Sequence, residues 1–175
     1  MADRLTPEQR RKNMQHVRNK DSQIELKLRR ALWKAGFRYR KNVRSVFGCP
    51  DLVFKKLKIA VFCDSEFWHG YDWENRKNDF KSNREFWIPK IERNIARDIE
   101  VNEKLKSEGW TVLRFFGREI KKDVDACVKI ISDTIEKKRI AEKKADFNRI
   151  LKLCKSVPDF DEKKSLAEYR EEKFN

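Results

Sequence analysis

A chain of 175 residues is long enough for one domain with a proper core and too short to expect two. Its 43 Lys and Arg against 29 Asp and Glu give a formal charge of +14, so an acidic partner is the default and nucleic acid the foremost candidate. No apolar run approaches the roughly 18 residues that cross a bilayer, the N-terminus lacks the apolar core of a signal peptide, and four scattered cysteines without CxxC pairing suit reduced thiols. A cytoplasmic protein is expected, with no membrane association, no disulfides and no Cys-rich metal site.

Residues 1–20 are polar and basic, with Met14 and Val17 the main apolar interruptions; this suits a solvated arm or one that lies on an acidic partner. Ser22-x-x-Glu25 is a capping box, after which Ile24, Leu28, Ala31, Leu32 and Ala35 recur at helical spacing until Gly36 stops the helix. Phe37-Arg38-Tyr39-Arg40 alternates as a first strand would, and 41–48 is a basic loop containing Arg44. Leu52–Phe54 and Leu57–Phe62 flank a Lys-rich turn and read as a β-hairpin. In the polar loop 70–82, Tyr71, Trp73 and Phe80 sit among charges, suited to stacking on bases or to a small satellite core.

Ser82-x-x-Glu85 opens a long helix to about Glu108, with Ile91, Ile95, Ile99 and Leu105 as its buried stripe and Pro89 in its early turns. Trp110–Phe116 is apolar enough for a central strand, and a strand, helix and strand in succession imply a parallel crossover. Residues 121–150 read as another helix, and 139–175 as a charge-rich appendage broken at Pro158. The expected fold is α/β, ordered α-β-β-β-α-β, with a mixed sheet flanked by helices. Its parts are a basic arm (1–20), a core (21–138) and a charged, helical appendage (139–175).

The hairpin carries the chemistry. In an antiparallel hairpin, facing residues have a constant sum of sequence numbers, so a turn centred on Lys55–Lys58 puts Asp51 near Phe62, Cys63 and Asp64. If the chain stays extended beyond Phe62, Asp64 and Glu66 share a face, and three acids converge. Converging carboxylates repel unless a cation is present, and for oxygen ligands the usual cation is Mg2+. Solvated surface acids are the plain alternative, but Phe67-Trp68-His69 places two large aromatics and one of only two histidines directly beside them.

Pro50-Asp51, the strand ending at Phe62, and Phe67-Trp68-His69 together resemble the very-short-patch-repair (Vsr) endonucleases, a branch of the PD-(D/E)xK nuclease superfamily. The resemblance continues in Lys12-Asn13-Met14, Ile24-Glu25, Glu85-Phe86-Trp87, Asn94-x-x-Arg97-Asp98 and Gly109-Trp110-x-Val112-Leu113. It implies a restriction-endonuclease-like core and a Mg2+-dependent endonuclease. Such an enzyme nicks one strand of double-stranded DNA beside a T:G mismatch, as a monomer, to start short-patch repair.

The same resemblance implies Asp51 as primary metal ligand, the Cys63 backbone carbonyl as another, His69 as general base oriented by Asp98, and Glu25 at the edge of the metal site. Met14 would wedge between base pairs from the minor groove, while Phe67, Trp68 and Trp87 would stack into the duplex from the major groove. Lys12 and Arg44 are expected on DNA as well. Read locally, Glu25 is a helix cap, His69 a ring packed beside Trp68, and the aromatics core residues; these alternatives stand beside the resemblance.

Three departures matter. The best-known members have Thr-His where this chain has Cys63-Asp64, which suggests Asp64 as a second acidic metal ligand. Glu66 stands where the superfamily has its lysine, leaving His69 as the nearest base. Glu66, Tyr71 and Trp73 occupy places around a structural zinc in those members, and none forms a thiolate or imidazole site, so no zinc is expected and aromatic packing must hold the loop. A restriction or defence nuclease that cuts matched DNA, or a non-catalytic DNA-binding module of the same fold, are the competing readings.

Overall fold

The computed structural model describes residues 21–80 and 83–155, with Thr6, Glu8, Gln9, Arg11, Lys12, Ala167 and Tyr169 as isolated positions nearer the ends. The chain divides into two compact units, Met1–Asp133 and Thr134–Asn175. The first holds the sheet and the candidate site. The second contains the later turns of the last helix. No helix among the described residues is long and apolar enough to cross a membrane.

Helix α1 (Gln23–Lys34) begins where the capping box requires, with both reciprocal hydrogen bonds between Ser22 and Glu25 formed. Gly36 follows it in the left-handed conformation. Strand β1 is only Arg40–Lys41, shorter and later than the expected Phe37–Arg40. The N–H of Phe37 is still donated to the carbonyl of Leu32, and the Arg38 guanidinium lies 3.8 Å over the Trp33 ring, so this stretch closes the helix instead of entering the sheet.

β2 (Leu52–Phe54) and β3 (Ile59–Asp64) form the hairpin, paired Leu52↔Val61, Val53↔Ala60 and Phe54↔Ile59. Their constant sum places Asp51 level with Phe62, and Lys58 takes the positive φ that the tight Lys55–Lys58 turn demands. After β3 come the one-turn helix α2 (Trp73–Arg76) and the long helix α3 (Arg84–Ser107). α3 starts at Asn83; Ser82, the expected cap, lies outside the described residues. α3 carries the chain back to β4 (Thr111–Phe116), which pairs parallel with β3 from Ile59↔Thr111 to Asp64↔Phe116.

The four-stranded mixed sheet, in order β1-β2-β3-β4 and flanked by helices, is the α/β architecture expected of a restriction-endonuclease-like core. β4 is an edge strand of this sheet, not the central one that its composition suggested. Five of its six residues are only partly buried, Phe115 being the exception, whereas β2 is buried throughout and β3 everywhere but at Cys63. On one face Val46, Val53, Ala60 and Phe62 pack with Val101 and Leu105 of α3. Residues of opposite parity, such as Leu52, Ile59 and Val61, are equally buried, so both faces are covered. Each such side chain contributes about 1.5–3 kcal/mol.

Two helical expectations are corrected. Ile99 is 52% exposed, and the inward stripe of α3 runs through Ile91, Val101 and Leu105, with Asn94, Asp98 and Asn102 between them in place of Ile99. The helix expected over 121–150 is two: α4 (Gly117–Lys122) and α5 (Val124–Lys155). Asp123, whose φ of −151° is not helical, breaks them apart, and its carboxylate accepts the N–H of Ala126.

Candidate active site

The ends of β2 and β3 meet the start of α1 and the middle of α3. Asp51 sits one residue before β2, and its Oδ2 accepts a hydrogen bond of 2.7 Å from the N–H of Cys63. Burial pushes its pKa up to about 6; the nearby charges of Glu25 and Asp64 add to the rise, while the Cys63 N–H and Arg29 oppose it. Glu25 is buried at the head of α1, where it accepts from the N–H and hydroxyl of Ser22 and the N–H of Asp21. Its two sequence readings therefore coexist: it closes the cap and lies within electrostatic reach of Asp51.

Arg29, which sequence reasoning missed, is buried one turn further on. It donates to Asp21 at 2.6 Å and to Glu25 at 3.1 Å, supplying the countercharge that a buried glutamate needs. The Cys63 thiol is pushed well above its ordinary range by burial and by the carboxylates of Asp51, Glu25 and Asp64, so it stays protonated.

Beyond Asp64 the chain leaves the strand and turns tightly. The N–H of His69 is donated to Ser65 O, and that of Tyr71 to Glu66 O. Asn94 of α3 pins the turn by donating to Trp68 O at 3.0 Å. Gly70, at φ +58°, lets the backbone press on α3: a Cβ there would lie 2.5 Å from Ile95 Cδ1. This turn presents His69, whose Nδ1 lies 2.6 Å from Asp98 Oδ2 and 3.6 Å from Asp64 Oδ1. Facing carboxylates, Nδ1 carries the proton and Nε2 keeps its lone pair.

Burial works against charging His69, but the hydrogen bond to Asp98 and the charges of Asp64 and Asp98 outweigh it, so its pKa is raised. Burial likewise works to raise Asp98, yet His69 and Arg114 hold it below the usual carboxylate value. Asp64 is raised by its burial, against the pull of His69 and Arg114. Arg114, on β4, is the second arginine that the sequence did not reveal: it donates to Asp64 Oδ2 at 2.7 Å and contacts Asp98 Oδ1 at 3.1 Å.

Glu66 does not share a face with Asp64, because β3 ends at Asp64 and the extended alternation stops there. Its carboxylate lies instead at the start of α4, where a Cβ on Gly117 would meet it at 3.3 Å. The third acid beside Asp51 and Asp64 is Glu25.

Next to His69, Phe67, Trp68 and Trp87 form a ring cluster, with centroids 5.0–5.9 Å apart. Phe67 remains 41% exposed and both tryptophans are half-buried, while Lys90 lies over the Trp68 ring. In the following loop Trp73 and Phe67 pack on Phe80, and Tyr71 packs on Phe116 under Arg118, so aromatic contacts hold this loop. Arg44 and Lys12 are exposed, and Met14 lies outside the described residues. Among the described residues no three His, Cys, Asp or Glu side chains form a ready metal cage.

The residues present nonetheless fit a hard cation at Asp51. Its carboxylate is strained by burial and by neighbouring acids in the way a divalent cation relieves, and its Oδ1 accepts no hydrogen bond from the described residues. The structure thus joins a carboxylate corner to a carboxylate-backed histidine, beside a partly exposed ring cluster on a strongly basic chain.

The chain is similar to known proteins. A family profile described as DNA mismatch endonuclease Vsr matches residues 2–75. The type II nicking enzyme V.NmeDIP of Neisseria meningitidis serogroup C is 55% identical over 137 residues, covering 78% of this chain and 93% of that protein. V.HpaIIP of Haemophilus parainfluenzae, also named a type II nicking enzyme, is 56% identical over 69% of this chain and 86% of its own length. The DNA mismatch endonuclease Vsr of Escherichia coli K12 is 33% identical over 65% of this chain and 72% of its own length. Through these relatives and the site just described, the chain belongs to the Vsr family and is an endodeoxyribonuclease.

Proposed function

We propose that the protein is a Mg2+-dependent monomeric endonuclease that nicks one strand of double-stranded DNA beside a T:G mismatch and so initiates very short patch repair. The observation that carries this reading is the convergence, at the end of β3, of the Asp51–Cys63 corner with the His69–Asp98 pair, directly beside the ring cluster of Phe67, Trp68 and Trp87. The naming of several relatives as nicking enzymes supports the cutting of a single strand.

Asp51 and the Cys63 carbonyl would hold the cation, with Glu25 reinforcing the negative field. When bound there, Mg2+ neutralises phosphate charge and makes a bound water more acidic. His69 Nε2 takes the proton of the attacking water, and Asp98, already hydrogen-bonded at Nδ1, stabilises the imidazolium that results. Phe67, Trp68 and Trp87 stack into the duplex. Opening a step costs a few kcal/mol, and each stacked base returns about 1–3 kcal/mol, so insertion favours sites where pairing is already poor. Met14 wedges from the minor groove, and Lys12 and Arg44 contact the backbone, adding to the sequence-independent attraction of a +14 chain.

The test uses end-labelled duplexes that differ by one T:G mismatch in several sequence contexts, with Mg2+, beside an Asp51→Ala control. A single nick near the mismatch that disappears in the control is expected. Equal cutting of matched DNA would replace this reading with a restriction-type enzyme, and binding without cutting would leave a DNA-binding module.

A further inference from the structure

We infer that Arg114 is a positioning residue of this active site: it ties Asp64 to Asp98 across His69, so that the acid at position 64 braces the histidine instead of joining Asp51 at the cation. The inference deepens the proposed function and rests on its reading of His69 as base and Asp51 as cation ligand.

An arginine pointing inward from a strand needs a reason. Arg114 is level with Phe62 in the parallel pairing, shares its parity with Val112, and lies with its guanidinium 4.4 Å over the Phe62 ring. Its side chain is only 17% exposed, and every nitrogen is engaged. Nε donates to Asn102 Oδ1 at 2.9 Å, Nη1 donates to Asp64 Oδ2 at 2.7 Å, and Nη2 meets Asp98 Oδ1 at 3.1 Å. Each carboxylate thus gives one oxygen to the arginine and turns its other toward the same ring nitrogen of His69, Asp98 at 2.6 Å and Asp64 at 3.6 Å. Arginine, two acids and imidazole close into a ring.

The rigid guanidinium fork sets the spacing of the two acids, which would otherwise repel across the histidine. It also commits Asp64. To serve a cation at Asp51, this carboxylate would have to abandon a largely buried arginine, leaving its Nη1 without an acceptor and Asp98 as its one remaining countercharge among the described residues. An acid at position 64, a departure from the family's best-known pattern, is therefore matched here by its own countercharge on β4.

The test compares Asp64→Asn, Arg114→Met, their double variant and Asp51→Asn in a His16→Asn background, where His69 is the only imidazole left. Asp64→Asn keeps both shape and an acceptor for Arg114, and Arg114→Gln substitutes if the methionine variant misfolds. Mn2+ binding to the DNA-free protein, followed by electron paramagnetic resonance, should stay within about threefold of the parent in the Asp64 and Arg114 variants and weaken at least about tenfold in Asp51→Asn. The Nδ1 proton of His69, read by NMR, should shift or exchange away in Arg114→Met.

Single-turnover nicking should slow by about 10–100-fold in each single variant at unchanged DNA affinity, and no further in the double variant, since the clamp acts as a unit. Arg114→Lys should rescue only part of the rate, because an ammonium lacks the fork. If Asp64→Asn weakens Mn2+ as Asp51→Asn does, Asp64 is a cation ligand and the inference is overturned. An unchanged Nδ1 proton and rate in Arg114→Met would overturn it too. Metal and NMR results as expected, with no nicking of any DNA by the parent, would sink the proposed reaction and leave the clamp standing.

Discussion

Asp51→Asn should stabilise the cation-free protein while abolishing nicking. A rise in the Asp51 pKa from 3.8 to about 6 means that its anion opposes folding by about 3 kcal/mol at pH 8. Asparagine is nearly isosteric and retains an acceptor for the Cys63 N–H. The sign follows from linkage: an acid raised in the folded state favours folding below its unfolded value of 3.8, and that contribution is lost as pH rises through about 6. The variant's advantage should therefore be full at pH 8 and vanish near pH 4.

Urea titrations in EDTA measure it. With a denaturant slope of about 2 kcal/mol/M, the midpoint should rise by about 1–2 M at pH 8. Mg2+ at a hundred times its dissociation constant should add about 2.7 kcal/mol to the wild type and nothing to the variant. A variant no more stable than wild type at pH 8, or one whose advantage persists unchanged at pH 4, would refute the assignment of a strained carboxylate.

His69→Ala should lower single-turnover nicking by about 10²–10⁴-fold with DNA affinity retained, checked by rapid-quench and gel-shift assays. Phe67→Ala, at a 41% exposed ring that packs on Trp68, Phe80 and Trp87, should lower stability by about 1–2 kcal/mol and weaken mismatched-duplex binding by about 1–3 kcal/mol, with matched DNA little affected. Gly70→Ala combines a disfavoured positive φ with a methyl 2.5 Å from Ile95 Cδ1, so a loss of about 1–3 kcal/mol in stability and a larger fall in nicking than in DNA binding are expected.

Local rules carried the sequence far where local geometry decides. The constant sum of the hairpin predicts Asp51 near Phe62, Cys63 and Asp64, where the pairing puts it, and the Ser22–Glu25 box predicts the start of α1. The rules failed where the chain changes regime. β3 ends two residues before Glu66, so the alternation that would pair it with Asp64 stops short, and β4, apolar enough for a central strand, is an edge strand whose residues are mostly half-covered. Arg29 and Arg114 were hidden by abundance, since in a chain with 43 basic residues an arginine draws no notice. A signal existed: Arg114 shares its strand parity with Val112, a core-packed residue, which is an unusual seat for a charge. The same bias toward apolar residues put Ile99 inside α3, when Asn94, Asp98 and Asn102 hold that side through their partners on the loop and β4.

Those three polar residues, four apart on α3, make the helix a ruler. Asn94 fixes the carbonyl behind His69, Asp98 fixes its ring, and Asn102 fixes the arginine that reaches both acids. Each residue of an α-helix turns the chain by about 100°. One residue lost between Asp98 and Asn102 would swing the later graduation out of reach while the earlier two stayed engaged. Substitutions on the outer face should be absorbed freely, whereas changes of length inside this helix should be fatal to the site even when the fold survives.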